Sequence, residues 1–155
     1  MTMTTAPAYQ PVQSPPTLAT VADIMQPPLT TADTNDHAAA AAYLMKHAGA
    51  SALMVLDAQS GQPTGIITAA NIAHAVADGQ DLNDARIHHL MTTRPTVVNP
   101  ATSITDAAKI MTHGHFRHLP VTVNTSLVGI VDITDVCRAL IEPGTQEPPT
   151  TGTAQ

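Results

Sequence analysis

Two short segments place hydroxyl, amide and carboxylate side chains where a strand gives way to a helix. Gly65-Ile66-Ile67-Thr68 runs into Ala69-Ala70-Asn71, and Gly129-Ile130-Val131-Asp132 runs into Ile133-Thr134-Asp135. A helix start presents unpaired backbone N–H groups and the positive end of the helix dipole, and both attract anions. A hydroxyl at the cap can donate to a phosphate. An acidic side chain three residues on can accept from both hydroxyls of a ribose. The same spacing has a local use as well, because Thr68 to Asn71 and Asp132 to Asp135 stand N-cap to N3 and can simply cap their helices.

Other reactive groups carry less. His113, His115 and His118 fall within six residues and His88-His89 form a pair, but no carboxylate joins them in an HExxH-like arrangement, so no metal ligand is assigned. His113 and His115 flank Gly114 at an expected helix end, where a histidine meets the dipole favourably. Neither a nucleophile elbow nor a Walker-type loop occurs, so no catalytic residue is assigned and an enzyme is not expected. Cys137 is the only cysteine; in an expected helix it reads as a small packed side chain.

Both segments belong to a longer duplication. Met25 and Met91 lie 66 residues apart, as do Val55 and Val121, whereas Gly65 and Gly129 are 64 apart. A two-residue length change in the turn before the glycine accounts for the difference. A unit of this size does not readily bury its hydrophobic face alone, and the seam between two such units is a natural ligand site. In the second copy Ile104, Ala107, Ala108 and Met111 form one helical stripe, repeated at Ala38, Ala41, Ala42 and Met45. Ser103 and Asp106 stand at capping-box spacing. Short strands are expected at Thr96-Val97-Val98 and, more weakly, at Leu29-Thr30-Thr31. Hairpins follow at 53–67 and 120–131, then closing helices at 72–77 and 136–141. The fold class is α/β (α+β), with small sheets packed against helices.

Composition sets outer bounds. The chain has 155 residues, 43% of them hydrophobic and only 2% aromatic, so the core must be aliphatic and no stacking platform for single-stranded nucleic acid exists. A formal charge of −6 disfavours a nucleic-acid backbone binder, though not one nucleotide in a local pocket. No apolar run approaches the ~18 residues of a membrane span, and the start lacks a signal-peptide pattern; a cytoplasmic protein is expected. Residues 1–17 and 143–155 are expected to be disordered tails, with folded units at 18–78 and 86–142 and a linker at 79–85.

Val21-Ala22-Asp23-Ile24-Met25, the segment Phe116-Arg117-His118-Leu119-Pro120-Val121, and the Gly-Ile-Val-x-x-x-Asp ending of the second repeat resemble a tandem pair of cystathionine β-synthase (CBS) domains, a Bateman module. The resemblance implies two CBS folds related by pseudo-twofold symmetry. It also implies clefts for adenosine-containing ligands such as AMP, ADP, ATP or S-adenosylmethionine, a homodimer, and regulation of a partner protein rather than catalysis. By the same resemblance, Asp135 would contact ribose, Thr134 phosphate, Arg117 and His118 phosphate, and Val97 adenine. Asp132 departs from the Ser or Thr usual there, and would repel a phosphate or pair with Arg117. Thr68 and Asn71 mark a weaker second site, because Asn71 replaces the acid and Ser51-Ala52 replace the Arg-His pair. No resident cofactor is implied.

Overall fold

A computed structural model of the chain describes residues 19–28 and 30–142. The tails expected at 1–17 and 143–155, and Leu29 of the expected first strand, lie outside the described residues. The elements run α1 (Val21–Ile24), β1 (Thr31–Asp33), α2 (Ala38–Ala48), β2 (Ala52–Leu56), β3 (Pro63–Thr68) and α3 (Ala69–Ala77), then α4 (Ile87–Leu90), β4 (Thr92–Thr93), α5 (Ile104–Gly114), β5 (His118–Val123), β6 (Ser126–Asp132) and α6 (Ile133–Ile141). Two sheets with covering helices give the expected mixed α and β architecture.

Each repeat is built on an antiparallel hairpin. β2 pairs β3 with Val55 opposite Gly65, and β5 pairs β6 with Val121 opposite Gly129. β1 joins β2 in parallel through Ala32 and Val55. In the second repeat the matching strand expected at Thr96–Val98 does not form. Only a single parallel bridge joins Val98 to Val121, held by Val98 N–H to Pro120 O at 3.0 Å and Thr122 N–H to Val98 O at 2.9 Å. Pro95 and Pro100 bracket this stretch, and proline supplies no ladder donor, so pairing cannot spread.

The strand alternation sorts side chains between two layers. Leu53, Val55 and Ile67 turn toward α2 with Ala41 and Met45, while Ala52, Met54 and Ile66 turn the other way and meet Leu127 and Ile130 of β6. Side chains of period two line opposite faces of a strand, so one hairpin serves its own helices and the contact between repeats together.

The leading helices are exchanged. Val21 of α1 is fully buried in the second repeat's core with Ile104, Met111, Leu119 and Val131, whereas Ile87 of α4 is fully buried in the first repeat's core. Hydrogen bonds enforce the exchange: Val21 N–H donates to Thr102 O, and Ile87 N–H donates to Asp36 O. The strand that follows each helix goes the same way. β4 adds to the edge of β3, and Gln26 bridges Ile130 of β6. The duplicated Met–Gly pairs are therefore contacts between repeats. A Cβ at Gly65 would lie 2.6 Å from Thr92 O and 3.0 Å from Met91 Sδ; one at Gly129 would lie 2.9 Å from Met25 Sδ.

Two local features depart from expectation. Cys137 is exposed on α6 rather than packed, because fully buried Val136 occupies the inward position beside it and the next residue lies 100° around the helix. At the end of α5, His115 holds φ +56° where the first repeat has Gly49 at +62°. The left-handed conformation costs a Cβ-bearing residue about 1–2 kcal/mol. Replacing His115 by glycine should therefore raise the unfolding free energy by up to about 1 kcal/mol, the larger backbone entropy of unfolded glycine taking back part of the gain. Urea titration of the two proteins measures it.

Candidate functional site

The two capping motifs resolve differently. In the first repeat Thr68 caps α3 in a closed capping box. Thr68 Oγ1 accepts from Asn71 N–H at 3.2 Å, and Asn71 Oδ1 accepts from both the Thr68 N–H and its hydroxyl at 2.9 Å. In the second repeat Asp132 caps α6 by accepting the Thr134 N–H at 2.7 Å. Asp135, three residues on, pairs with Arg138 at 2.9 Å.

Arg117 does not pair with Asp132. His118 does, its Nε2 lying 3.0 Å from Asp132 Oδ2 and 2.8 Å from Ser51 Oγ across the seam. The carboxylate requires a proton on Nε2, so that N–H is shared between Asp132 and the Ser51 oxygen, which accepts. This is not a nucleophile–base–acid relay. Such a relay needs serine and acid on opposite ring nitrogens, and here both meet the same one.

Burial holds the His118 imidazole below the usual histidine range, with the Arg117 charge adding to the effect and Asp132 opposing it. For Asp132, burial pushes the carboxyl up, but hydrogen bonds from Thr134 and the charges of His118 and Arg117 outweigh it and hold the group below the usual carboxylate range. At neutral pH the His118–Asp132 contact is thus a hydrogen bond from a neutral ring; it becomes an ion pair only on acidification. Because the folded state resists protonating His118, the unfolded chain binds more protons as pH falls below ~6.5, and stability drops until the folded value is passed. Asp132 acts in a separate window, since its contribution is lost only below ~4. Wild type should lose more unfolding free energy than His118→Asn between pH 7.5 and 5.5; parallel urea titrations would show equal losses if His118 were solvated.

A cleft of about 520 Å³ opens between the repeats. Ser51, Ile66, Thr68 and the first turn of α3 form one wall. Thr92, Arg94, Pro95 and Thr96 from the start of the second repeat form the floor beside β3. His115, Phe116 and Arg117, just ahead of β5, and His118 at its start close the far side. The exchange of α4 explains the floor: β4 pairs Thr92 with Ile66, which carries Arg94 to the mouth of the first repeat's helix.

The cleft regroups the expected residues. Arg117 and His118 face Thr68, not Thr134 and Asp135; Val97, Asn71, Asp132, Thr134 and Asp135 do not line it. The expectation that the Thr68 side lacks a cation therefore fails, since Arg117 crosses from the other repeat and Arg94 arrives with β4. Sequence reasoning missed Arg94, His115, Thr92 and Thr96. Linear repeats hide a segment that crosses to the other unit, and Arg94, aligned with Pro28, has no basic counterpart to draw attention. Arg94 also holds φ +50°, a strained conformation of the kind that gathers at ligand sites.

Among the described residues, no carboxylate lines the cleft. Lys109–Asp106, His118–Asp132 and Arg138–Asp135 are ion pairs among the described residues, and none of them includes Arg94 or Arg117. An acidic protein thus holds a local pocket lined by two guanidinium groups outside those ion pairs and by the hydroxyls of Thr92 and Thr96, beside those of Ser51 and Thr68, which bond His118 and Asn71. Guanidinium groups suit planar, multi-point contact with phosphate or carboxylate. Phe116, 38% exposed, offers an apolar surface at the rim. Among the described residues no group of three or more His, Cys, Asp or Glu side chains is placed to hold a metal ion.

Comparison with known proteins gives the architecture a family context. The family model of the CBS domain matches residues 21–78 and 87–142. An uncharacterized 17.7 kDa protein of Acidianus ambivalens is 39% identical over 110 residues, which cover 70% of this chain and 65% of that protein, just under two thirds of its length. Among solved structures, CBSX2 in complex with AMP shares 27% identity with a TM-score of 0.68, over 79% of this chain and 96% of that one. The CBS domain pair of protein MJ0100, in complex with 5′-methylthioadenosine and S-adenosyl-L-methionine, shares 27% identity with a TM-score of 0.72 over the same fractions.

Proposed function

The chain belongs to the CBS domain family and carries two copies of that domain, and on this premise we propose that it is a regulatory module that senses an adenosine-containing ligand in the cleft between them. The observation that carries this reading is the pair of guanidinium groups outside any ion pair among the described residues, Arg94 and Arg117, that line one interdomain cleft with Thr92 and Thr96. The ligand class is AMP, ADP, ATP or S-adenosylmethionine; the complexes of the two structural relatives, with AMP and with 5′-methylthioadenosine and S-adenosyl-L-methionine, support its adenosine part. The role is non-catalytic: Ser51, His118 and Asp132 meet at one ring nitrogen and supply no general base for a nucleophile.

Binding at a seam where each repeat contributes one wall favours the relative placement of the repeats that closes both walls on the ligand, and a partner protein that reads that placement is thereby regulated. The protein acts in the cytoplasm as a homodimer. Exposed Tyr43, Val76, Leu140 and Ile141 on α2, α3 and α6 supply apolar surface for such contacts.

A thermal-shift screen tests the reading. Binding to the folded state stabilises by about 2.7 kcal/mol at a hundred times the dissociation constant, so at least one of AMP, ADP, ATP and S-adenosylmethionine should raise the melting temperature by several degrees. Silence from all four at millimolar concentration would contradict it.

One observation favours a second reading, a structural or partner-binding pair with degenerate ligand sites. The closed Thr68–Asn71 box and the Asp132 cap satisfy helix-start donors that a ligand could use. Partner recovery in a pull-down would then be indifferent to adenine nucleotides.

A further inference from the structure

We propose that the cleft selects its ligand by phosphate alone: it takes a nucleoside phosphate, accepts the 2′-deoxy form as readily as the ribose form, and rejects S-adenosylmethionine. This narrows the ligand of the module described above and rests on that reading.

Charge decides the first part. Arg94 stands on the floor and Arg117 on the far side, and among the described residues no carboxylate lines the cleft. Neither guanidinium joins the ion pairs Lys109–Asp106, His118–Asp132 or Arg138–Asp135. The acid whose field reaches Arg117, Asp132, engages Oδ1 with the Thr134 N–H and Oδ2 with His118. A phosphate monoester brings up to two negative charges to two unengaged cations. S-Adenosylmethionine brings a sulfonium and an ammonium against one carboxylate, a net positive charge that meets like charge at both Arg94 and Arg117. Rejection of the wrong ligand by like charge is how such a site discriminates.

Hydrogen-bond capacity decides the second part. The strongest reader of a ribose is one carboxylate or amide oxygen that accepts from both of its hydroxyls. At the helix start that lines the cleft the residue in place is Asn71, whose Oδ1 already accepts two bonds from Thr68 at 2.9 Å. A carbonyl oxygen has two lone pairs, so this acceptor is filled. The acid in the duplicate motif, Asp135, belongs to α6, is bonded to Arg138 and does not line the cleft. Sites built to hydrogen-bond a substrate hydroxyl discriminate strongly against its absence; among the described residues this cleft offers neither a carboxylate nor a free amide oxygen for that purpose.

Calorimetric titration of the full-length protein with AMP, 2′-deoxy-AMP, adenosine and S-adenosylmethionine tests the proposal. AMP and 2′-deoxy-AMP should bind within threefold of each other, and adenosine and S-adenosylmethionine at least tenfold more weakly than AMP. S-Adenosylmethionine binding as tightly as AMP, or 2′-deoxy-AMP binding tenfold more weakly, overturns the phosphate-only selection while leaving an adenosine-sensing module in place. No binding by any of the four removes both.

Discussion

Replacing Gly65 by alanine should destabilise the protein by about 1–3 kcal/mol, the range for forcing extra atoms into a filled site. The added Cβ would lie 2.6 Å from the backbone oxygen of Thr92 and 3.0 Å from Met91 Sδ. A backbone oxygen on a paired strand cannot turn aside, so β4 must move off β3, taking with it the pairing of Gly65 with Thr93 and Ile66 with Thr92. The equivalent Gly129→Ala should cost less. Its tightest neighbours are Met25 Sδ at 2.9 Å and Cγ at 3.1 Å, with Gln26 O at 3.2 Å, and a methionine side chain can change rotamer. Urea unfolding of the two variants beside wild type measures both effects. A neutral Gly65→Ala would mean that the second repeat's leading segment does not seat on the first repeat's sheet.

That seating is also what sequence reading could not supply. The hairpins, the stripes of α2 and α5 and the starts of the closing helices all follow from local signals: β-branched runs around polar turns, apolar residues at helical spacing, and cap residues at Thr68, Ser103 and Asp132. Each signal acts within a few residues of itself. The exchange of α1 and α4 is different in kind. Val21 and Ile87 are apolar residues in four-residue helices, and nothing in their own segments says which core they enter. The repeat made Met25, Met91, Gly65 and Gly129 visible as scaffold positions, yet the duplication reads the same whether each methionine covers its own glycine or the other repeat's. Thr96–Val98 erred for a related reason, since β-branched composition suits a strand but the flanking prolines restrict it to one bridge.

The candidate site was legible in its residue types more than in its grouping. Arg117, His118 and Thr68 were all identifiable, but symmetry by linear repeat assigned them to different clefts. In the fold the start of β5 reaches across the seam, as the Ser51–His118 hydrogen bond shows directly. Asp132 was identifiable as the residue that most disturbs a phosphate site at α6. Its partner is His118 rather than Arg117, which leaves the more persistent cation available to the cleft. Arg94 could have been found only by knowing that the segment after Met91 adds to the first repeat's sheet.

The largest functional effect should come from removing both guanidinium groups. Hydrogen bonds to charged groups contribute about 1.5–3 kcal/mol each. Removing two of them together weakens binding by at least about a hundredfold, at roughly 1.4 kcal/mol per factor of ten. Arg94 and Arg117 are exposed and take no part in either core, so Arg94→Gln with Arg117→Gln should leave the unfolding free energy nearly unchanged. Asp135→Ala is the matched control, because Asp135 lies outside the cleft and its loss removes only an exposed pair with Arg138.

The most direct measurement is therefore a calorimetric titration of AMP into wild type, the Arg94→Gln/Arg117→Gln protein and Asp135→Ala. The interdomain cleft predicts saturable binding by wild type, a loss of a hundredfold or more in the double variant, and wild-type affinity in Asp135→Ala. Full affinity in the double variant, or loss of binding on removing Asp135, would contradict it and move the site to the start of α6.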